Sequence, residues 1–369
     1  ALARRLHLPV VTTMPGRGVL SDDHPHLVGA AGSSGHRSAH RTLERCDTLL
    51  ALGVSTRGGA FDIPGGAFLI QVDRDPLQLC RRTHRGVGLY GTVAETLDEL
   101  LARLAPPTVV SPGRSRGGGR EASRRRFLRA RQASFGRWRR RTRRTGRVPR
   151  AGRPIPPSLL CRTLREVLAG LGDEGEAMGR PVVTVDVGLT TLWVYRYLPG
   201  QVDFVWTSSF AAMGFAMPAA LAIAPLAPGR PVLALVGDGG IGITMAELAA
   251  ATHAPAPVVV VVFNNGKLAA IKYEQEVMGW PEHESELCNG DFASYARACG
   301  VNGVRVTNPE QLAPALRAAL AGRTTCLLDV VCDPHETPWP ARPSPRQAAG
   351  FLLARVREAR ASIRHWRRA

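Results

Sequence analysis

The sequence predicts an α/β protein with two domains, each a three-layer arrangement of helices on both faces of a parallel sheet. Continuous apolar runs rich in β-branched residues recur along the chain, which is typical of parallel strands buried on both faces. Segments with a helical pattern lie between these runs, as crossover connections require. A Pro-, Gly- and Arg-rich stretch then separates two such regions, which indicates two domains rather than one.

Four regions follow from these patterns. We expect a first domain over residues 1–105, an Arg-rich linker over 106–153, a second domain over 154–335 and a basic C-terminal helix within 336–369. The predicted strands of the first domain are 9–14, 47–53 and 68–73, and the helix 93–104 closes it. The predicted strands of the second domain are 181–188, 230–240, 257–265 and 326–333.

The net charge of +18 is concentrated in one segment. Between Arg114 and Arg153 there are 17 arginines and a single acid, Glu121, so the rest of the chain is close to neutral. Residues 124–144 have the pattern of a basic helix, for which RNA, DNA or anionic lipid are candidate partners. Few aromatic residues are interleaved with the arginines, which favours a solvated, poorly ordered connector and no specific nucleic-acid partner.

Cysteine usage and hydropathy indicate a cytoplasmic protein. The seven cysteines include no C-x-x-C pair and their number is odd, so reduced thiols fit better than a disulfide framework. The N-terminal residues do not have the pattern of a signal peptide. Residues 207–229 carry no charge, but Pro218, Pro225 and Pro228 interrupt them, which favours a buried helix over a membrane span.

Two of the apolar runs end in loops with polar, chemically active side chains. One run ends in residues 237–240, Gly-Asp-Gly-Gly, and the other in residues 264–267, Asn-Asn-Gly-Lys. Asp238 and Asn265 lie 27 positions apart, the length of one strand–helix–strand unit. Because ligands bind at the carboxyl ends of strands in an open parallel sheet, we expect these two loops to be neighbours at a binding site. The alternative is a pair of ordinary turns that contain these letters by coincidence.

The residue types at these loops suit a metal ion and a phosphate. The carboxylate of Asp238 and the amide oxygen of Asn265 are hard ligands of the kind that Mg²⁺ prefers. The glycines permit close approach of the backbone. Thr244 and Glu247 have the spacing of a capping box, which predicts a helix that begins there and favours a diphosphate at its N-terminus.

These motifs resemble those of thiamine diphosphate enzymes. GDG with an NN pair 27 residues later is similar to the signature of that family, and residues 208–222, SSFAAMGFAMPAALA, resemble the segment that precedes GDG there. Residues 186–198, 270–276 and 292–306 resemble pyruvate oxidase and quinone-linked pyruvate dehydrogenase more than acetolactate synthase. The resemblance implies decarboxylation and oxidation of a 2-oxo acid, pyruvate first. The alternatives are an acetolactate synthase-like carboligase, a non-catalytic cofactor-binding remnant, and a nucleic-acid or membrane binder.

The same resemblance implies a set of site residues. Asp238, Asn265 and the backbone carbonyl of Lys267 would hold Mg²⁺. Thiamine diphosphate would be lined by Ala211, Ala212, Met213, Asp238, Gly239, Gly240, Asn265, Gly266, Lys267, Leu268, Ala269, Ala270 and Ile271. Met213 would hold the cofactor in a bent shape, although its pattern alone is that of an ordinary core methionine. Glu274 is either an acid near the reacting carbon or a solvated helix charge.

The first domain resembles the middle domain of these enzymes, which holds FAD in pyruvate oxidases and in acetolactate synthases. The matching positions are Gly32, Ser33, Gly53, Val54, Ser55, Thr56, Arg57 and Asp73. Asp73 ends a predicted strand, where an acid could bind a ribose hydroxyl. Residues 55–59, STRGG, depart from the family pattern and no G-x-G-x-x-G is present, so FAD stays a further candidate cofactor.

The resemblance also implies partners. The family has another α/β domain ahead of the middle domain, and that domain supplies the glutamate that activates the cofactor. Here the first domain begins part-way, which a truncated reading frame, a degraded gene or a separate subunit would explain. We therefore expect a homo-oligomer or a partner chain, and poor turnover by this chain alone. The C-terminal helix, with Phe351 and Arg355 on its two sides, either packs on its own domain or makes a peripheral contact at the inner face of the membrane.

Overall fold

The computed structural model describes residues 1–32, 35–54, 63, 66–104, 118–150, 152–171, 179–198, 202–207, 210–338 and 344–366. The chain divides into two compact units, Ala1–Arg141 and Thr142–Ala369. This division falls inside the segment predicted as a linker, residues 106–153. Both units are α/β, and in the described residues the named strands all pair in parallel, which confirms the predicted fold class.

The described part of the first unit contains five strands in two small sheets. Its elements are α1 (Leu2–Leu6), β1 (Val10–Thr12), β2 (Leu27–Ala30), α2 (Arg37–Leu43), β3 (Thr48–Leu52), β4 (Phe68–Asp73), β5 (Gly86–Tyr90), α3 (Val93–Arg103) and α4 (Gly118–Arg143). β1 pairs with β2, and β3, β4 and β5 form a second sheet in that order. The strand predicted at 68–73 has these same bounds, while the strands predicted at 9–14 and 47–53 are shorter.

Helix α4 corrects the prediction of a solvated connector. It is 26 residues long and belongs almost entirely to the first unit. Leu128 and Phe135 are buried at 6% and 4% exposure, so one side of the helix is part of a core. The sequence pattern offers Phe127, Phe135 and Trp138 as an apolar side of this helix, and of these three Phe135 is buried.

The second unit is built on one six-stranded parallel sheet. Its elements are α5 (Pro157–Gly170), β6 (Val182–Val185), α6 (Leu189–Tyr197), β7 (Asp203–Trp206), α7 (Ala216–Ile223), β8 (Val232–Gly237), α8 (Asp238–Thr244), α9 (Glu247–Ala251), β9 (Val259–Asn264), α10 (Ala269–Met278), α11 (Phe292–Ala298), β10 (Asn302–Val306), α12 (Pro309–Ala321), β11 (Cys326–Val331) and α13 (Pro345–Trp366). The strand order is β10-β11-β9-β8-β6-β7. Uninterrupted apolar strands such as β9, VVVVFN, are fully buried because helices cover both faces of this sheet.

The two faces of this sheet carry separate apolar cores. α5, α6 and α12 pack on one face, with Leu160, Trp193 and Leu312 among their buried side chains. α7, α8, α9 and α11 pack on the other. The chain leaves β6 along one face through α6 and leaves β8 along the opposite face through α8. The carboxyl ends of β6 and β8 therefore form a switch point, where a ligand crevice is expected.

The uncharged run 207–229 forms a short helix, α7, of eight residues where it is described. No described helix is both long enough and apolar enough to cross a membrane.

Candidate functional site

The carboxylate of Asp238 lies where β8 ends, and the loop after β9 wraps around it. Its Oδ2 accepts the backbone N–H of Asn265 at 3.1 Å and that of Gly266 at 2.6 Å. β8 and β9 are hydrogen-bonded neighbours, so the predicted meeting of the two loops is confirmed. Gly266 has a φ of 68°, a left-handed conformation that glycine adopts without strain, and this turn directs both N–H groups at the carboxylate.

Asn289 is a site residue that the sequence did not reveal. Its side-chain amide donates to Asp238 Oδ2 at 2.8 Å and to Asn264 Oδ1 at 3.1 Å. The amide of Asn264 in turn donates to Asp329 Oδ1 at 2.8 Å, and Arg305 pairs with Asp329 at 2.6 Å. The two asparagines after β9 therefore differ: Asn264 is fixed in a buried network and Asn265 faces the loop.

The loop from Asn265 to Leu268 is braced by its own bonds. Asn265 Oδ1 accepts the Lys267 N–H at 3.0 Å, and the Leu268 N–H donates to the Ser285 carbonyl at 2.7 Å. The Lys267 ammonium pairs with Glu282 at 2.5 Å and with Glu286 at 3.1 Å, so this charge is directed away from Asp238. The backbone carbonyl of Lys267 accepts the Ala269 N–H at 2.8 Å as α10 begins.

The donor set around Asp238 fits a hard divalent cation. Three donors occupy Oδ2, whereas Oδ1 accepts the Gly239 N–H at 2.9 Å, and an ionised carboxylate has about four acceptor sites. Burial raises the pKa of Asp238, which is 3% exposed, although its hydrogen bonds oppose this shift. Within the described residues, no lysine, arginine or histidine pairs with this carboxylate. A bound cation would supply the missing positive charge.

The capping box predicted at Thr244 and Glu247 is wrong. α8 begins at Asp238 itself, with Gly237 as its N-cap, and Thr244 is its last residue. The Thr244 hydroxyl points back to the Gly240 carbonyl at 3.5 Å, and α9 begins at Glu247 without a side-chain cap. Gly239 and Gly240 are part of α8, so this helix begins at Asp238, beside the candidate metal site, and not at Thr244 as predicted.

Asp186 is a second residue that sequence reasoning missed as a site residue. It follows β6 directly, it is fully buried, and its Oδ2 and Oδ1 accept the backbone N–H groups of Gly214 and Phe215, each at 3.1 Å. A Cβ on Gly240 would lie 1.9 Å from Asp186 Oδ2, so only glycine fits there. Asp186 thus fixes the chain next to Met213 against the first turn of α8.

Met213 lies beside the glycine loop. A Cβ on Gly239 would lie 3.1 Å from Met213 Cε and 2.8 Å from Leu268 Cδ2. The two segments predicted to line the cofactor, residues 211–213 and 265–271, therefore meet over Gly239. Ala211 adopts a φ of 49°, unusual for a residue with a Cβ, and both Ala211 and Ala212 are exposed.

We expect the Asp186 carboxyl to give the free energy of unfolding a specific pH dependence. Burial raises its pKa, so the folded chain binds this proton more tightly than the unfolded chain does. The stabilisation is complete below the usual carboxyl pKa and is lost as the pH rises through the raised value. Urea titrations from acidic to neutral pH should therefore show a steeper fall in stability for the wild type than for Asp186→Asn.

The control for this pH dependence is Glu247→Gln, which neutralises an exposed acid in the same unit. We expect this variant to keep the wild-type slope. Equal slopes for the wild type and Asp186→Asn would contradict the assignment.

Helix α10 carries the remaining predicted residues. Leu268 is its N-cap and Ala269, Ala270 and Ile271 form its first turn. Ile271 is 47% exposed, and Glu274 is exposed on the same helix with no hydrogen bond among the described residues. The structure therefore places these residues in sequence along α10, which begins beside the loop that encloses Asp238.

The C-terminal helix α13 packs on α10. The rings of Phe351 and Tyr273 lie 5.7 Å apart, and Gly350 approaches the Val277 carbonyl so closely that a Cβ would lie 2.0 Å from its oxygen. The sequence allowed this helix either to pack on its own domain or to contact a membrane. The described side chains match the first of these interpretations. Leu352 remains 69% exposed.

A buried ion pair joins these two helices. Glu276, 1% exposed, accepts Lys272 Nζ at 2.6 Å and Arg355 Nη2 at 3.0 Å. Glu282, which holds Lys267, lies 3.8 Å from the same Lys272 ammonium. A chain of ion pairs therefore connects the loop that follows β9 to α13.

The predicted flavin positions that are described lie at the carboxyl ends of strands in the first unit. Gly53 follows β3, and its N–H donates to the Val72 carbonyl at 2.9 Å, beside Asp73 at the end of β4. The Val54 carbonyl accepts the Gln71 amide at 3.2 Å. Gly32 follows β2, in the other sheet. Ser33, Ser55, Thr56 and Arg57 lie outside the described residues.

Comparison with known proteins gives family matches over both units. Residues 186–330 match the model of the thiamine pyrophosphate enzyme C-terminal TPP binding domain, and residues 1–100 match that of the thiamine pyrophosphate enzyme central domain. YdaP of Bacillus subtilis strain 168, named as a thiamine pyrophosphate-containing protein, is 32% identical over 345 residues, which cover 93% of this chain and 55% of that protein.

Acetolactate synthases form a second group of relatives. The large subunit from Parasynechococcus marenigrum strain WH8102 is 28% identical over 363 residues, or 95% of this chain and 54% of that protein. The isozyme 3 large subunit of Escherichia coli strain K12 is 26% identical over 347 residues, or 91% and 56%. The chain thus spans about half the length of the curated relatives that it matches.

Proposed function

Because the chain belongs to the thiamine pyrophosphate enzyme family through its central and C-terminal domains, we propose that it binds thiamine diphosphate with Mg²⁺ and acts on a 2-oxo acid. One observation carries the proposal: a buried carboxylate at the end of β8 is held by backbone and amide donors, and no cationic side chain among the described residues pairs with it. A metal–diphosphate pair supplies both the cation and a ligand for the start of α8.

Each residue of the site has a role in this proposal. Asp238, Asn265 and the Lys267 carbonyl would hold the metal, which would bridge to the diphosphate. Asn289 orients the carboxylate and is a positioning residue. Met213 and Leu268, which meet over Gly239, would shape the apolar side of the cofactor cavity. Thiamine diphosphate supplies the carbanion stabilisation that decarboxylation of a 2-oxo acid requires.

Carboligation is the reaction that we propose first. The relatives named acetolactate synthase match more than nine-tenths of this chain, which supports a carboligase over the pyruvate oxidase subtype that the sequence suggested. Oxidation of pyruvate stays a prediction, as does FAD in the first unit, where Gly53 and Asp73 share one sheet edge. The two reactions differ in electron balance. Carboligation joins two 2-oxo acids with loss of one carbon dioxide, whereas oxidation passes two electrons to an acceptor.

A product assay tests the proposed reaction. The protein is given pyruvate, Mg²⁺ and thiamine diphosphate, with and without a reducible dye, and acetolactate and reduced dye are both measured. Any turnover should give acetolactate, in an amount that does not depend on the dye. Dye reduction without acetolactate would favour the oxidase. Cofactor binding is measured separately by calorimetry, so that a protein without turnover and a protein without the cofactor site give different results.

A further inference from the structure

Helix α4 is fixed to the first unit along one side. Leu128 and Phe135 are buried, and Phe135 stacks on Trp138 at 5.8 Å between ring centroids. The Trp138 and His36 rings are also arranged edge to face, with 4.0 Å between their centroids. Near the end of the helix, Arg139 donates to the Asp22 carbonyl at 2.9 Å. The helix therefore has one defined inner side, and its opposite side is fixed in orientation.

The opposite side presents a row of arginines, which we call the arginine face: Arg126, Arg129, Arg137 and Arg140. All four are exposed. At 3.6 residues per turn and 1.5 Å per residue, they fall within an arc of roughly 80° and span about 21 Å of the helix. Among the described residues, none of the four is in an ion pair. The one acid of the helix, Glu121, pairs with Arg125 at 2.5 Å.

Further positive charge acts on the inner side of this helix, away from the arginine face. Burial lowers the pKa of Arg131, and the positive charges of Arg45 and Arg41 lower it further. Arg131 Nε and Nη1 are buried without a hydrogen-bond partner among the described residues. Positive charge from Arg41 and Arg45 therefore acts on this part of α4.

This concentration of like charge is unfavourable in the absence of an anion. Like charges three or four positions apart on a helix destabilise it by a few tenths of a kcal/mol per pair, and Arg126 with Arg129 and Arg137 with Arg140 have that spacing. A polyanion placed along the helix would attract each of these arginines and so offset the repulsion between them. Its condensed counterions would be released into the solvent.

We propose that the arginine face binds the phosphate backbone of a nucleic acid, without reading its sequence. Guanidinium groups form two-pronged hydrogen bonds with phosphate oxygens, and a row of four along a helix suits a ligand with regularly repeated phosphates. The helix does not have the form of an interfacial membrane helix. Such helices insert an apolar side into the lipid, and the apolar side of α4 is buried in its own unit.

Fluorescence anisotropy with a labelled duplex of roughly 20 base pairs tests this proposal on the full chain. For the wild type we expect a dissociation constant of about 1–100 μM near physiological salt, and affinity that falls steeply as salt rises. The test variant is Arg126→Gln/Arg129→Gln/Arg137→Gln/Arg140→Gln. Glutamine forms helix well, so α4 should persist, which circular dichroism checks. We expect the slope of log affinity against log salt to decrease by about 3.6, or 0.9 for each lost phosphate contact.

The matched control removes the same charge elsewhere. Arg74→Gln/Arg81→Gln/Arg317→Gln/Arg323→Gln replaces four exposed arginines outside α4 and should keep the wild-type slope. An equal loss in this control would mean that net charge alone causes binding and would overturn the proposal. So would an absence of duplex binding, or binding to anionic phospholipid vesicles but not to the duplex.

Discussion

Asp238→Ala is expected to weaken Mg²⁺-dependent binding of thiamine diphosphate roughly 100-fold or more. The change removes the carboxylate that the loop after β9 encloses, and with it the oxygen that would face the metal. Isothermal calorimetry with thiamine diphosphate, in the presence and absence of Mg²⁺, measures the loss. Unchanged affinity in a folded Asp238→Ala protein would refute both the ligand assignment and the proposed function.

Two further variants separate a ligand from a positioning residue. Asn265→Ala removes a proposed metal ligand while the backbone N–H to Asp238 remains, so its loss should approach that of Asp238→Ala. Asn289→Ala removes a donor to Asp238 and no ligand, and outer partners of this kind contribute about 10-fold to metal affinity. Asn302→Ala, which removes an exposed amide bonded to Thr324, serves as the control with no expected change.

Gly240→Ala is expected to lower the free energy of unfolding by about 3 kcal/mol and to abolish cofactor binding. The added Cβ would lie 1.9 Å from Asp186 Oδ2, and that carboxylate cannot move without releasing the N–H groups of Gly214 and Phe215. The segment with Met213 would then shift away from the glycine loop. Urea unfolding measures the stability and calorimetry measures the binding.

Gly242→Ala provides a control within the same helix. Gly242 is exposed, and a Cβ there would meet no atom within 4 Å, so the variant should be neutral or more stable by up to about 1 kcal/mol. The double variant Gly240→Ala/Asp186→Ala should recover part of the stability lost in Gly240→Ala, because the contact is removed from its other side. Equal stabilities of Gly240→Ala and Gly242→Ala would show that the contact with Asp186 does not exclude a side chain at position 240.

The sequence predicted those site residues for which a single local pattern indicates both the secondary structure and the place of the residue in the sheet. A buried apolar strand followed at once by Asp238, and another followed by Asn265, define two strand ends, and the length between them makes them neighbours. The same rule would have identified Asp186, since it follows β6 directly. Asn289 had no such signal, because it lies in an irregular segment that only tertiary folding brings to Asp238.

Two predictions were wrong for physical reasons. Thr244 and Glu247 match a capping pattern, yet Gly237 already caps the helix, so the pattern falls between α8 and α9. For α4, the predicted connector gave more weight to charge than to the apolar side on which Leu128, Phe135 and Trp138 lie. Those three positions lie near one side of a helix and are sufficient to attach it.

The junction between α10 and α13 limits where the chain can be shortened. If residues from 345 onwards were deleted, for example to improve crystallisation, the Glu276 carboxylate would lose Arg355 and the Tyr273 ring would lose its neighbour. Shortened versions of this protein should therefore end beyond residue 358, and affinity tags are better attached after that helix than in place of it.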